Sequence, residues 1–196
     1  MDQASAALAA AIGARVKHER QERRWTLDQL ASAASVSRRM LVNIEQGAVN
    51  ASVGTLLRLS DALGVGLPAL VEPPQLTSAL RVVRAGDGPV LWSSPAGGRG
   101  VLVAGTEPPD VVELWDWTLP AGDRYVSEPH ADGTRELAQV IKGTLEIGVG
   151  DQRVALKAGD GITFRGDTEH SYANVGRGTV RFSLAVFEPG VGADRR

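Results

Sequence analysis

Apolar residues follow two different rhythms along this chain. Over the first seventy residues they recur every three or four positions: Leu8, Ile12 and Val16; Leu27, Leu30 and Ala34; Leu41 and Ile44; Leu56, Leu59 and Leu63. That spacing places one apolar stripe on each of several short helices. Thr26 and Ser37 stand where N-caps belong, because a hydroxyl there can accept a free backbone N–H of the first turn. Gly47 and Gly64 stand where helices should stop, and no proline interrupts the pattern before Pro68. The rhythm then breaks at EPPQLTS, Glu72 to Ser78, which reads as a linker. Beyond it come short runs rich in Val, Thr and aromatic residues: LRVVR, VLVAG, VVELWDWTL, LAQVIKG, TLEIGVG, GITF and TVRFSLAVF, separated by Gly, Asp and Pro. Many short strands with turn signals between them predict a sandwich or barrel. The fold expected is α+β multidomain: a helical domain over 1–71, a linker over 72–79 and an all-β domain over 80–196, with the last residues, VGADRR, frayed.

Composition narrows the class. The chain is 43% hydrophobic and 22% charged, an ordinary globular balance. Cys is absent, which removes disulfides and thiolate metal sites. No apolar run reaches membrane-span length and the first residues lack a signal-peptide pattern, so the sequence reads as soluble, cytoplasmic and free of membrane partners. The net charge of −2 divides unevenly: residues 1–71 carry eight basic and six acidic side chains, and the remainder is acidic. A weakly basic front half suits contact with phosphates but does not by itself establish it. His18, inside KHERQERR, reads as part of a solvated helix face.

The segment TLDQLASAASVSRRMLVNIEQG, Thr26 to Gly47, has the order a helix-turn-helix needs: a short helix, a tight turn at Ala34-Ser35-Val36, and a second helix. Leu30, Ala31 and Ala34 give the first helix a small apolar face, and Val36 would plug the space between the helices. Leu41 and Ile44 face inward from the second helix, which leaves Arg38, Arg39, Val42 and Asn43 outward. Arg can bond guanine O6 and N7 together, and Asn can do the same for adenine. Residues in the first turns of a recognition helix are those that meet base edges, and the helix start at Ser37 favours a nearby phosphate. Glu45 reads as structural, paired with a basic neighbour. The residues TLDQLA, VSRRMLVNIEQG and TLLRLSDALGVGLPALV resemble the phage-repressor-like, or XRE, family over roughly Ile12 to Val71. The resemblance implies a five-helix domain that dimerises on an operator of double-stranded DNA. It implies Arg38, Arg39 and Asn43 as base readers, and Asn50 and Ser52 as phosphate contacts. Leu27 departs from the Gln many relatives carry there.

The β half carries the other two histidines. The stretch from Gly122 through Glu128, His130 and Glu136 to Gly143, followed by the stretch from Gly159 through His170 to Asn174, resembles the two motifs of the cupin family. That resemblance covers about Val111 to Glu188 and implies a double-stranded β-helix with a central pocket. It also implies a metal site of His130, Glu136 and His170, with Glu128, where the family has its first His, as a fourth ligand. Such N and O donors suit Zn, Fe, Mn or Ni. The departures are Glu128 itself, a longer gap before Glu136, and Arg165 and Asp167 in place of Pro and Gly. The same residues read equally as polar lining of a pocket for an organic ligand. Along a strand, Glu113, Trp115, Trp117 and Leu119 share one face; the two indoles either wall a pocket or fill the core. Arg124 and Arg165, near the two motifs, would favour an anionic effector.

Together these readings predict a dimeric, sequence-specific transcription regulator whose barrel binds a small-molecule effector and sets operator affinity. A metal-dependent cupin enzyme, a dioxygenase or isomerase fused to a DNA-binding domain, is the alternative; the altered first motif and the lack of another catalytic constellation favour a non-enzyme.

Overall fold

The computed structural model describes residues 3–71 and 80–192, so the expected linker at 72–79 and the residues from 193 onward lie outside the described residues. The chain divides into two compact units. The first is helical: α1 (Gln3–Glu22), α2 (Leu27–Ala33), α3 (Arg38–Glu45), α4 (Val53–Leu63) and α5 (Leu67–Val71). Thr26 caps α2 through a reciprocal pair with Gln29: its hydroxyl accepts the Gln29 N–H, and the Gln29 side chain accepts the Thr26 N–H. Ser37 caps α3 and Ser52 caps α4 in the simpler one-bond form. The expected apolar stripes form the core, with Val16, Leu30, Leu41, Ile44, Leu56, Leu59 and Leu63 all buried.

Two features hold α1 against α3. At Gly13 a Cβ would sit 2.1 Å from the Ile44 carbonyl oxygen, so only glycine allows this approach. Farther along, the Arg20 guanidinium grips Glu45 with two bonds of 2.6 and 2.8 Å and donates a third, of 2.9 Å, to the Trp25 carbonyl. Glu45 is thus structural, as its place in the sequence implied. Between α2 and α3 the Ser35 N–H donates to Ser32 O (3.2 Å) and the Val36 N–H to Ala31 O (2.9 Å). This is a Schellman closure, and it puts Ser35 at φ 52°, in the left-handed region. Val36, expected as a plug, is half-buried.

The second unit is all β. A six-stranded sheet has the order β1-β2-β3-β10-β5-β8 and a four-stranded sheet the order β4-β9-β6-β7. Their ranges are β1 (Val90–Ser93), β2 (Arg99–Gly105), β3 (Val111–Leu119), β4 (Arg124–Ser127), β5 (Arg135–Lys142), β6 (Thr144–Val149), β7 (Gln152–Lys157), β8 (Gly161–Arg165), β9 (His170–Asn174) and β10 (Val180–Glu188). All pairings are antiparallel. Alternation along β3 buries Val111, Glu113, Trp115, Trp117 and Leu119, the face read from the sequence. Phe182 of β10 stacks on Trp117 with centroids 6.0 Å apart, and Tyr172 of β9 meets Trp117 edge-on at 5.4 Å. Gly100 leaves room for this ring, since a Cβ there would lie 2.8 Å from it.

One expected strand is absent. LRVVR has no strand pairing, and Leu80 and Val82 are largely exposed; its β-branched residues satisfy propensity but find no sheet face to cover. Conversely β1, β4, β7 and β9 escaped the sequence reading, being short and interrupted by polar residues.

A non-glycine residue in the left-handed region is strained. Ser35→Gly is therefore expected to stabilise the helical unit by about 0.5–1 kcal/mol, after the greater freedom of glycine in the unfolded chain is deducted. The check is the urea midpoint of the variant beside that of Ser35→Val, which should fall.

Candidate functional site

Helix α3 presents the expected recognition surface. Leu41 and Ile44 fix its inner side at 0% and 2% exposure. Arg38 and Arg39 are exposed and Asn43 is half-buried. The Ser37 hydroxyl accepts the Met40 N–H at 3.1 Å, which closes the first turn. Two neighbours of this surface, Asp28 and Met40, were not foreseen. Asp28 of α2 pairs with Arg38, Nε to Oδ1 3.2 Å, both side chains well exposed. Met40 offers an apolar contact at 41% exposure. Asn50, read as a phosphate contact, donates to the Ser5 hydroxyl at 2.7 Å. Ser52, read as a phosphate contact, uses its hydroxyl to cap α4, accepting the Thr55 N–H at 3.2 Å. Only the S-x-x-T spacing ahead of the apolar run could have shown that role in the sequence.

In the β unit the structure gathers His130, Glu136 and His170, whose ligand-type atoms all lie within 4.8 Å of one another. Glu136 comes from β5, His170 from β9 and His130 from the segment between β4 and β5. Glu136 Oε1 lies 2.9 Å from His130 Nε2 and 3.1 Å from His170 Nε2. Yet Glu136 Oε1 and His170 Nε2 are buried without a hydrogen-bond partner. The donors thus converge without satisfying one another, which is the arrangement a bound cation requires. Their supports point the same way. His170 Nδ1 lies 2.8 Å from the Thr168 carbonyl, so the neutral ring carries its proton there and offers the Nε2 lone pair to a cation. The Tyr172 hydroxyl donates to Glu136 Oε2 at 2.5 Å and turns Oε1 toward the histidines. Burial alone would raise the Glu136 carboxyl; with both imidazoles protonated, their bonds and charge outweigh burial and hold it at about 2, and a bound cation would stand in for those protons. The donors fit a divalent metal of the Zn, Fe, Mn or Ni class. Thr168 and Tyr172 were missed in the sequence; Tyr172, two residues from His170 on one strand, was accessible by period-two reasoning.

Other candidates fall elsewhere. Glu128 is exposed and stands outside the group. Arg124 lies on the outer face of the four-stranded sheet, donating to Ser171 at 3.0 Å. Arg165 is exposed and paired with Asp167 at 2.8 Å. Neither arginine points into the barrel, so the expectation of an anionic effector loses its support. Trp115 and Trp117 are 3% and 2% exposed and packed on each other at 5.9 Å, on the inner face of β3. Asn174 is a clamp: its amide donates to Leu119 O (2.8 Å) and Gly178 O (2.7 Å), while its oxygen accepts the Gly176 N–H (2.9 Å).

Residues 11–73 match the family described as a helix-turn-helix domain, and residues 115–187 match the cupin domain family. The HTH-type transcriptional regulator SutR of Escherichia coli (strain K12) is 29% identical over 185 residues, 93% of this chain and 97% of that protein. The chain is an XRE-type helix-turn-helix transcriptional regulator with a C-terminal cupin domain. The immunity repressor protein of Bacillus phage phi105 is 42% identical over 60 residues, 31% of this regulator and 42% of that repressor. A crystal structure of an HTH_3 family transcriptional regulator from Vibrio cholerae matches with a TM-score of 0.71 at 25% identity, covering 94% of this chain and 99% of that one. Among the described residues no helix is long and apolar enough to cross a membrane.

Asn174→Ala removes three bonds, two of them to the Leu119 and Gly178 carbonyls. At about 1 kcal/mol each, the cupin unit should lose about 3 kcal/mol, read as a lower denaturation midpoint with the far-ultraviolet spectrum unchanged.

Proposed function

We propose that this regulator binds an operator through α3 and that a small molecule held in the cupin barrel sets its operator affinity. The domain limits proposed are 1–71 for DNA binding, 72–79 for the linker and 80–196 for the sensor, in a cytoplasmic protein. The observation that carries the DNA reading is the outer side of α3, where Arg38, Arg39 and Asn43 stand clear of a core closed by Leu41 and Ile44. Arg39 and Asn43, one turn apart, are the base readers, with Arg38 oriented by Asp28. Ser37 offers a phosphate the start of α3, and Asn50 and Ser52 approach the DNA backbone with the donors that their contacts inside the unit leave over.

The sensor reading is supported by the convergence of His130, Glu136 and His170, with Trp115 and Trp117 beside them. A divalent metal held by these three residues would supply a Lewis-acidic anchor for an oxygen or nitrogen atom of the effector. The kinship with regulators favours a non-enzyme. Homodimerisation through the barrel is supported by the outer face of the six-stranded sheet, where Leu114, Ala185 and Leu137 form one row across β3, β10 and β5 and Val112 and Ile141 flank it. Four of these are exposed: Val112, Leu114, Leu137 and Ile141. Two copies would match half-sites about one helical turn, roughly 10 base pairs, apart.

Three measurements test this reading. Arg39→Ala should weaken operator binding by about 1–3 kcal/mol and relax base preference at one position; full specific affinity in a gel-shift series would remove α3 from the interface. Leu137→Asp together with Ile141→Asp should convert the full chain from dimer to monomer at micromolar concentration, read by light scattering. His170→Ala should abolish metal uptake measured by calorimetry, and Tyr172→Phe should weaken it about 10–100-fold through the freed carboxylate; uptake unchanged in both would place any metal elsewhere.

A further inference from the structure

The inner face of β3 carries an acid that neither DNA recognition nor the His130–Glu136–His170 group employs. Glu113 is 1% exposed. Strand pairing sets it opposite Val186 of β10, and Val186 opposite Glu136 of β5, so all three share one row on one face of the sheet. Glu188, 5% exposed, lies two residues farther along β10 on that same face. Three adjacent strands therefore bury three carboxylates. His130 and His170 are both directed at Glu136, and no Lys or Arg is buried among the described residues of this unit.

The two oxygens of Glu113 differ. Oε2 accepts the Trp115 indole N–H at 2.9 Å, while Oε1 is buried with no hydrogen-bond partner. Burial above all, and then the charge of Glu188, push this carboxyl well above the usual range; the Trp115 bond opposes them and Glu136 adds to them. In the absence of a cation these surroundings favour the protonated form of Glu113. A buried polar atom left unused is unfavourable, and a carboxylate in a low-dielectric interior gains most from a positive partner. A second metal is not that partner, because among the described residues only His130, Glu136 and His170 bring ligand atoms close enough together. The surroundings fit an organic cation: Trp115 orients the carboxylate through its indole N–H and packs on Trp117, and Val186 lies opposite Glu113, so apolar surface surrounds the free oxygen.

We propose that Glu113 anchors the ammonium group of an amine effector, a primary amine on a short apolar chain, inside the barrel beside the His130–Glu136–His170 group. This rests on reading the barrel as a sensor. The amine arrives as its ammonium ion, Glu113 releases its proton to solvent, and a carboxylate–ammonium pair forms at Oε1; one proton is released per amine bound.

The test uses the full chain and three probes of matched length: n-butylamine, n-butanol and n-butyrate. Calorimetry in two buffers of different protonation enthalpy should show n-butylamine binding at least about tenfold tighter than the other two, with about one proton released. Glu113→Gln should lower amine affinity about tenfold or more while melting as sharply as the parent. Failure of primary amines from propyl to hexyl to bind, tighter binding of butyrate, amine binding without proton release, or amine binding unaltered in Glu113→Gln would each overturn the assignment. Operator affinity measured on the same samples separates this from the sensor reading. Amines that bind without altering operator affinity leave Glu113 as their site and remove the sensor role. An operator response to other small molecules, with none to amines, removes the amine and leaves the sensor.

Discussion

Glu136 has no exposed surface, and a carboxylate in that position must be surrounded by partners or give up its charge. The fold supplies partners from three places: His130 from a loop, and His170 and Tyr172 from β9. Those residues converge only if the two sheets close over each other with β5 and β9 facing inward at the same height. The register that aligns Glu136 with Val186 and Phe164 in one sheet, and His170 with Ser127 and Val149 in the other, therefore serves both the core and the site. A slip of one residue in β5 would turn Glu136 to solvent and its outward neighbour Leu137 into the barrel. Packing and chemistry are specified by the same pairing.

The helical unit depends on a comparable constraint on a smaller scale. Helix α3 must hold Arg39 and Asn43 outward at a fixed angle. It does so because α1 approaches within backbone contact at Gly13 and because Arg20 locks the last residue of α3 through Glu45. Both devices use the inner and end positions of α3, leaving the outer side free for DNA. Ser37, Asn50 and Ser52 show how the same polar residues serve the fold first: each has a side-chain partner within the unit, and each keeps a further hydrogen-bonding site on its side chain or backbone.

The barrel interior is acidic, while the arginines nearest the motifs in sequence lie on outer faces. Proximity along the chain says little about direction in a strand, because adjacent residues point to opposite sides. Arg124 immediately precedes the inward Tyr125, and Arg165 follows the buried Phe164. That alternation removes both from the site and leaves Glu113, Glu136 and Glu188 to define its charge.

Local periodicity and capping chemistry carried much of the architecture. The 3.6-residue rhythm, Thr26, Ser37, Gly47 and Gly64 located the helices of the first unit, and the alternation of Glu113, Trp115, Trp117 and Leu119 identified the inner face of β3. The cupin-like spacing brought His130, Glu136 and His170 forward as a set. These features are readable in one dimension because each depends on residues a few positions apart. Short polar strands such as β4 and β9 were not, since their pairing energy comes from partners distant in the chain. Nor was the failure of LRVVR to pair, the exposure of Glu128, the Arg38–Asp28 pair or the Tyr172 bond to Glu136, which spans 36 residues. Those outcomes depend on which side chains two sheets or two helices bring within bonding distance, and only the closed tertiary structure sets that distance.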